Sequence, residues 1–286
     1  MNLIDGKKIA SQILDELAKK IARFPRKIGL AVLMVGDNPG SQAYVRMKKK
    51  ACAQLGIDSL TEQLDADTSP ETVLQKIEVL NHTPAIDGIL VQLPLPDHYN
   101  PQQITRAIDP NKDVDGFHPM NVGKLLLGED GGFIPCTPHG IQLLLEKSQI
   151  EIAGKHVVIV GRSNIVGKPL AALLVQKRRG CNATVTIVHS QSEHLSDITR
   201  TADILIAAIG QPHFITNKLV KPGAVVVDVG INRMQDETGN VKLVGDVDFS
   251  SVAPIASWIT PVPGGVGPMT IALLMQNTYE SALRRG

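Results

Sequence analysis

Residues 156–170 read His-Val-Val-Ile-Val-Gly-Arg-Ser-Asn-Ile-Val-Gly-Lys-Pro-Leu. The β-branched run at 157–160 has the length and composition of a buried strand. It ends at Gly161, Gly167 follows, and a helical pattern opens at Pro169. A strand, a glycine turn and a helix start together suit a phosphate group, because backbone N–H groups come close and the helix dipole favours negative charge. The spacing is Gly-x-Ser-x-x-x-Gly rather than Gly-x-Gly-x-x-Gly, so the generic dinucleotide fingerprint is not met. An ordinary strand-to-helix turn is the competing reading.

The next apolar, β-branched run, 184–188, ends in His189-Ser190. In a fold of this kind the end of the second strand meets the adenosine ribose, and an acid there selects NAD. No carboxylate occurs before Glu193, whereas Arg162 in the glycine turn can reach the same place. A guanidinium and a hydroxyl without an acid suit a ribose bearing a 2′-phosphate, which favours NADP. The alternative is a solvated surface arginine.

Outward from this stretch the chain alternates helix and strand. Residues 7–22 put Ile9, Ile13, Leu14, Leu17 and Ile21 on one helical face. Residues 28–35, 57–64 and 86–93 read as strands. Helices are expected from Ser41, as N-cap, to Leu55, from Ser69-Pro70 onward, and briefly after Asn100. Residues 109–119 are polar and turn-rich and read as the exit of a first domain. A helix near 137–147 leads to strands near 157, 184, 203 and 225, and a Pro263–Pro268 loop precedes a last helix to about 283. Continuous apolar runs at 204–208 and 224–228 fit parallel strands covered on both faces. The pattern predicts an α/β protein with parallel sheets, divided into domains 1–119 and 120–286.

Bulk properties narrow the function. A chain of 286 residues suggests about two domains. At that length roughly 70–75% of the unfolded surface can be buried, so no staple is required. A net charge of +1 gives no electrostatic case for nucleic acid or an anionic membrane. The cluster Arg46, Lys48, Lys49, Lys50 reads mostly as a wet helix face. Three widely separated cysteines without a Cys-x-x-Cys fit a reducing compartment, and no histidine pair has zinc spacing, so no metal is expected. The first residues lack an apolar signal segment, and the run 204–209 is too short to span a bilayer, so a cytoplasmic location is expected.

Four residues can carry chemistry. Tyr44 and Lys48 are four apart on one helix and share a face, while Lys49 and Lys50 turn away. A flat ring beside an amine suits a flat ligand that needs a proton moved, although spacing alone also arises by chance. Gln92 lies at a strand end before two prolines, where ligands sit in α/β folds. Its neutral amide can orient Lys48 without the strong ammonium stabilisation a carboxylate gives, leaving the amine free to exchange a proton. A strand-end amide bonded to loop backbone is the plain alternative. Asp115, before Gly116, can accept two N–H bonds from a guanidine-like edge, as in a pterin ring, or simply cap its own turn.

Together these motifs resemble the bifunctional methylenetetrahydrofolate dehydrogenase/methenyltetrahydrofolate cyclohydrolase family. The match runs nearly end to end, through 41–48 (Ser-Gln-Ala-Tyr-Val-Arg-Met-Lys), 91–96 (Val-Gln-Leu-Pro-Leu-Pro), 113–117, 135–138, 161–167, 228–232 and 263–270. The resemblance implies two α/β domains, the second Rossmann-like, with the site in the cleft between them. It also implies a final helix (about 268–283) that packs back on the first domain, and a homodimer formed through the cofactor domain. Tyr44 then stacks on the folate, Lys48 is the general acid/base, Gln92 positions Lys48, and Asp115 anchors the pterin. Val91 and Leu93 flank the ligand, the stretch 263–271, with Pro263, Gly264 and Gly265, closes over it, and Gly161, Arg162, Ser163, Ser190 and Ile231 contact NADP.

The implied reactions oxidise methylenetetrahydrofolate to the methenyl form, then hydrolyse that to formyltetrahydrofolate, within one-carbon metabolism and purine biosynthesis. One departure bears on the cofactor. The family often has a basic residue and then Thr after His-Ser, whereas Gln191-Ser192 stand here, so Arg162 carries more of the 2′-phosphate preference. Two rival readings are a two-domain NADP dehydrogenase acting on a small hydroxy or amino acid, which leaves Tyr44, Lys48 and Gln92 unexplained together, and a nonenzymatic binding protein on the same scaffold.

Overall fold

The computed structural model describes residues 1–235 and 241–286. The chain divides into two units, neither continuous in sequence: Met1–Ala10 with Thr137–Thr270, and Ser11–Cys136 with Ile271–Gly286. Both are α/β with parallel sheets.

In the unit containing Ser11–Cys136, strand β2 (Gly29–Val35) is flanked by β3 (Asp58–Leu64) and β4 (Gly88–Val91), all parallel, with Ala31 opposite Leu60 and Ile89. All seven β2 residues and all four of β4 are buried, while β3, at the edge, alternates. That is why β2 reads as one unbroken apolar run. Helix α3 (Pro70–His82) presses Val73, Ile77 and Leu80 onto this sheet. Helix α2 (Pro39–Leu55) buries Ser41, Val45, Lys48, Ala51, Cys52 and Leu55. Its N-cap is Asn38, not Ser41: Asn38 Oδ1 accepts from Gly40 N (2.9 Å) and Ser41 N (3.1 Å), and Pro39 takes the first helical position, where no N–H is needed. Helix α4 (Pro101–Ala107) follows Asn100 as expected, but α5 (Pro119–Leu127) begins at the last residue of the expected connection and runs where the sequence reading placed no element. His118 caps it through Nδ1 (3.1 Å to Met120 N), a cap outside the Ser/Thr/Asp/Asn set that marks most helix starts.

The other unit has a six-stranded sheet. Its strands are β5 (His156–Val160), β6 (Thr184–Val188), β7 (Ile204–Ala207), β8 (Val225–Asp228) and the two-residue pieces β1 (Asn2–Leu3) and β11 (Trp258–Ile259). The order is β1-β11-β8-β7-β5-β6, and the pairings are parallel. Helices α6 (Cys136–Lys147) and α7 (Gly167–Leu174) precede and follow β5. A hairpin, β9 (Asn232–Gln235) with β10 (Val241–Val244), stands as a separate two-stranded sheet. Neither it nor β1 and β11 was legible in the sequence. Two residues carry no periodicity, and the hairpin strands are mostly exposed and lack a clean alternation. Helix α1 (Gly6–Ile21) follows β1, the short helices α8 (Leu195–Thr199) and α9 (Phe249–Val252) precede β7 and β11, and the final helix, α10, runs Val266–Arg285.

Candidate active site

The chemistry-bearing side chains on α2 follow from its register. Position 48 falls on the buried face with Val45, Ala51 and Cys52, so Lys48 is only 6% exposed while Lys49 and Lys50 are exposed. A buried amine needs partners. Lys48 Nζ donates to Gln92 Oε1 at 3.0 Å. Gln92 follows β4 directly and is held at both ends: its backbone N donates to Leu33 O (2.8 Å) and its Nε2 to Leu93 O (2.7 Å). Both sequence readings of Gln92 are therefore realised at once. The bond to loop backbone is what turns Oε1 toward the lysine. Tyr44, one turn before Lys48, is half-buried, and burial holds its phenol above the usual range, so it stays neutral.

Asp115 stands beyond a short bridge between Ile89 and Asp113 that ties the 109–118 segment to β4, with Ile89 N donating to Lys112 O at 2.8 Å. Gly116 has φ +77°, and a Cβ there would lie 2.7 Å from Pro135 N, so only glycine lets the turn lie against 133–135. Burial raises the Asp115 carboxyl above the ordinary range, while the Lys48 charge and a hydrogen bond from Cys136 oppose that rise. Asp113 beside it is fully buried and accepts from His118 N (2.7 Å) and Asn121 Nδ2 (2.8 Å); burial pushes it up to about 6. Val91, Leu93, Ile104, Ile108, Asp115 and Phe117 line one small pocket. Both Leu93–Pro94 and Val262–Pro263 are cis.

The other unit carries the glycine turn. Gly161 has φ +128°, and a Cβ on it would lie 2.1 Å from Ala208 O; one on Gly167 would lie 2.2 Å from Gly161 O. The turn is so close that only glycine fits at either position. Ser163 Oγ accepts from Val166 N (3.1 Å) and Gly167 N (3.4 Å), closing the loop onto the start of α7. Arg162 is exposed and has no partner among the described residues. Ser190 is exposed just after β6, and Ile231 is 39% exposed after β8. Ser192 Oγ accepts from His189 N (2.9 Å), so that hydroxyl is used by the turn itself. Pro263, Gly264 and Gly265 belong to this unit, with Lys7 N donating to Gly264 O at 2.9 Å.

The family model for the tetrahydrofolate dehydrogenase/cyclohydrolase catalytic domain matches residues 4–115, and that for the NAD(P)-binding domain of the same family matches 135–286. The chain belongs to the tetrahydrofolate dehydrogenase/cyclohydrolase family. It is 54% identical over 291 aligned positions to the bifunctional protein FolD of Prosthecochloris aestuarii, covering 99% of each chain. A crystal structure of the bifunctional FolD methylenetetrahydrofolate dehydrogenase/cyclohydrolase from Campylobacter jejuni is 48% identical, with a TM-score of 0.93 over 100% of both chains. The Trypanosoma brucei methylenetetrahydrofolate dehydrogenase-cyclohydrolase, complexed with NADP and an inhibitor, is 39% identical, with a TM-score of 0.92 over 99% of this chain and 97% of that one.

In this member of the family the structure joins Lys48 to Gln92 directly, places Asp115 within electrostatic reach of Lys48, and gathers Val91, Leu93 and Asp115 at one pocket. Three further groups escaped the sequence reading. Asp228, at the end of β8, accepts from Gly230, Asp246 and Val247 N, each at 2.9 Å. Asp246 is fully buried and accepts from Ile209 N (2.8 Å), Gly210 N (2.9 Å) and Asn232 Nδ2 (2.9 Å), so these two carboxylates hold the loops after β7 and β8, Ile231 included. Asn277, on α10, donates to Val114 O and Ile134 O. Asp228 stood at a strand's carboxyl end, a usable signal. Asp246 and Asn277 had none, because most of their partners are backbone groups distant in sequence.

Proposed function

We propose that this chain oxidises methylenetetrahydrofolate to methenyltetrahydrofolate with NADP and then hydrolyses the product to formyltetrahydrofolate. The observation that carries this reading is the buried Lys48, held by a neutral amide beside the Asp115 carboxyl. Methenyl hydrolysis needs a group that takes a proton from the attacking water and returns one as the ring opens. An amine bonded to Gln92 meets that need: Gln92 orients it without the direct ion pair that a carboxylate at position 92 would form. Asp115 accepts the guanidine-like edge of the pterin, and the neutral phenol ring of Tyr44 offers it a flat face. Val91 and Leu93 supply apolar walls.

The nucleotide turn fits a dinucleotide. Glycine at 161 and 167 brings backbone close where a Cβ would collide, and α7 begins there. Gly161, Arg162, Ser163, Ser190 and Ile231 would hold NADP, which supplies hydride acceptance. Arg162 provides the cation for the 2′-phosphate, since Gln191 is neutral and Ser192 is consumed by its own turn. We further infer a homodimer acting in the cytoplasm, supplying one-carbon units to purine synthesis. No helix among the described residues is long and apolar enough to cross a membrane.

The test is a paired spectrophotometric assay of purified protein: NADPH formation from methylenetetrahydrofolate, and decay of the methenyl chromophore. Both are expected, with NADP preferred over NAD. Turnover of a small hydroxy or amino acid without folate activity would favour the rival dehydrogenase, and activity in neither assay would favour a binding scaffold.

A further inference from the structure

Asp115 has no rigid element of its own. It sits in a turn between the Ile89–Asp113 bridge and Gly116, and its carboxyl must nevertheless be held to within a fraction of an ångström to recognise a planar edge. Two side chains behind that turn grip it. Asn277, on α10 and 3% exposed, donates its amide to Val114 O at 2.8 Å and to Ile134 O at 3.2 Å. Cys136, 1% exposed at the start of α6, places Sγ 3.3 Å from Val114 O, within hydrogen-bond reach of the Asp115 carboxyl and 3.6 Å from Asn277 Nδ2. The Val114 carbonyl belongs to the peptide plane that carries the Asp115 N–H. Holding that oxygen from two sides fixes the rotation of the plane, and with it the direction in which the Asp115 side chain leaves the backbone.

We propose that Asn277 and Cys136 are positioning residues for Asp115: a two-point clamp on the Val114–Asp115 peptide that sets the pterin-anchoring carboxylate. This rests on the folate reading above and deepens it. The charged and titratable groups that act on Asp115 are Lys48 from α2, Asp113 from its own turn and Cys136. Buried next to Asp115, the Cys136 thiol is held well above its ordinary range, so it keeps its hydrogen and serves as a donor. Its one hydrogen is shared between Val114 O and the Asp115 carboxyl, and the share toward Asp115 favours the charged form of that carboxyl. Removing the thiol therefore raises the Asp115 pKa and moves any acid limb of folate kcat/KM that Asp115 governs to higher pH.

The experiment compares Asn277→Ala, Asn277→Ser, Cys136→Ala and Cys136→Ser with the wild type, measuring KM for methylenetetrahydrofolate, KM for NADP, the pH profile and the thermal midpoint. Asn277→Ala and Cys136→Ala are expected to raise the folate KM about tenfold while leaving the NADP KM within a factor of two. Cys136→Ala should also shift the acid limb upward. Cys136→Ser keeps an O–H donor and should recover most of the folate KM and the original acid limb. In an Asp115→Asn background, Asn277→Ala should add less than twofold to the weakening of tetrahydrofolate binding, because its effect passes through the residue already removed. If Asn277→Ala does not fold, Asn277→Ser carries the same comparison. An unchanged folate KM, equal losses toward folate and NADP, or full additivity with Asp115→Asn would overturn the clamp. A wild type without folate-dependent NADPH formation would instead overturn the underlying function, so the two failures are distinguishable.

Discussion

A buried lysine partnered by an amide behaves differently from one partnered by a carboxylate, and the proposed mechanism rests on that difference at the Lys48–Gln92 bond. A carboxylate at position 92 would stabilise the ammonium and hold the proton that must be relayed. Gln92→Glu is therefore expected to lower methenyl hydrolysis by about tenfold or more at neutral pH, on the scale of acid–base contributions. Its pH–rate profile should move to higher pH, and hydride transfer should be less affected. An unchanged profile would remove the proton-relay role. Residues such as Lys48 and Gln92 were legible in the sequence because their types and their places on a helix face and at a strand end already suggest chemistry. Asn277 was not, because it acts on backbone atoms about 160 positions away, and nothing in local spacing encodes that.

Among the elements, the segments joining strands to helices position the site, and their glycines and buried charges are the sensitive points. Gly116→Ala adds a Cβ 2.7 Å from Pro135 N at a φ of +77°. The expected cost is about 2–3 kcal/mol of stability, with a raised folate KM, measurable by urea denaturation and steady-state kinetics. A neutral effect would mean that the 133–135 segment yields. Lys112, 2% exposed, donates to Leu80 O and Thr83 O, each at 2.9 Å, at the C-terminal end of α3. Burial lowers its ammonium from 10.5 to about 8, with Arg285 adding to the effect. Between these values the unfolded chain binds a proton that the folded chain has released, so the folded state gains stability as pH rises through that window and loses it as pH falls toward 8. The buried cysteines, raised above 9.0, act in the opposite sense. The stability difference between wild type and Lys112→Met should therefore grow in favour of wild type from pH 8 to 10, since the cysteines are common to both. A pH-independent difference would contradict the assignment. Strands β2, β5, β7 and β8 were legible because burial on both faces writes a continuous apolar run, whereas β1 and β11 are too short to write anything. Helix α2 was legible, but its cap was misread by three residues, because Asn38-Pro39 looked like loop.

For the molecule as a whole, the two reactions ask different things of the protein. Hydride transfer needs alignment of two bound molecules, while hydrolysis needs a proton carrier. Cofactor choice belongs to the nucleotide-binding unit, so Arg162→Ala should raise the NADP KM at least tenfold and leave the NAD KM nearly unchanged; an unaltered ratio of the two would remove Arg162 from that role. In the proposed mechanism proton movement belongs to Lys48. The most direct test is therefore Lys48→Met assayed for both activities in parallel. Hydrolysis of methenyltetrahydrofolate is expected to vanish while a measurable fraction of NADPH formation survives, so that the methenyl product accumulates. Small and equal losses in the two activities would contradict the account.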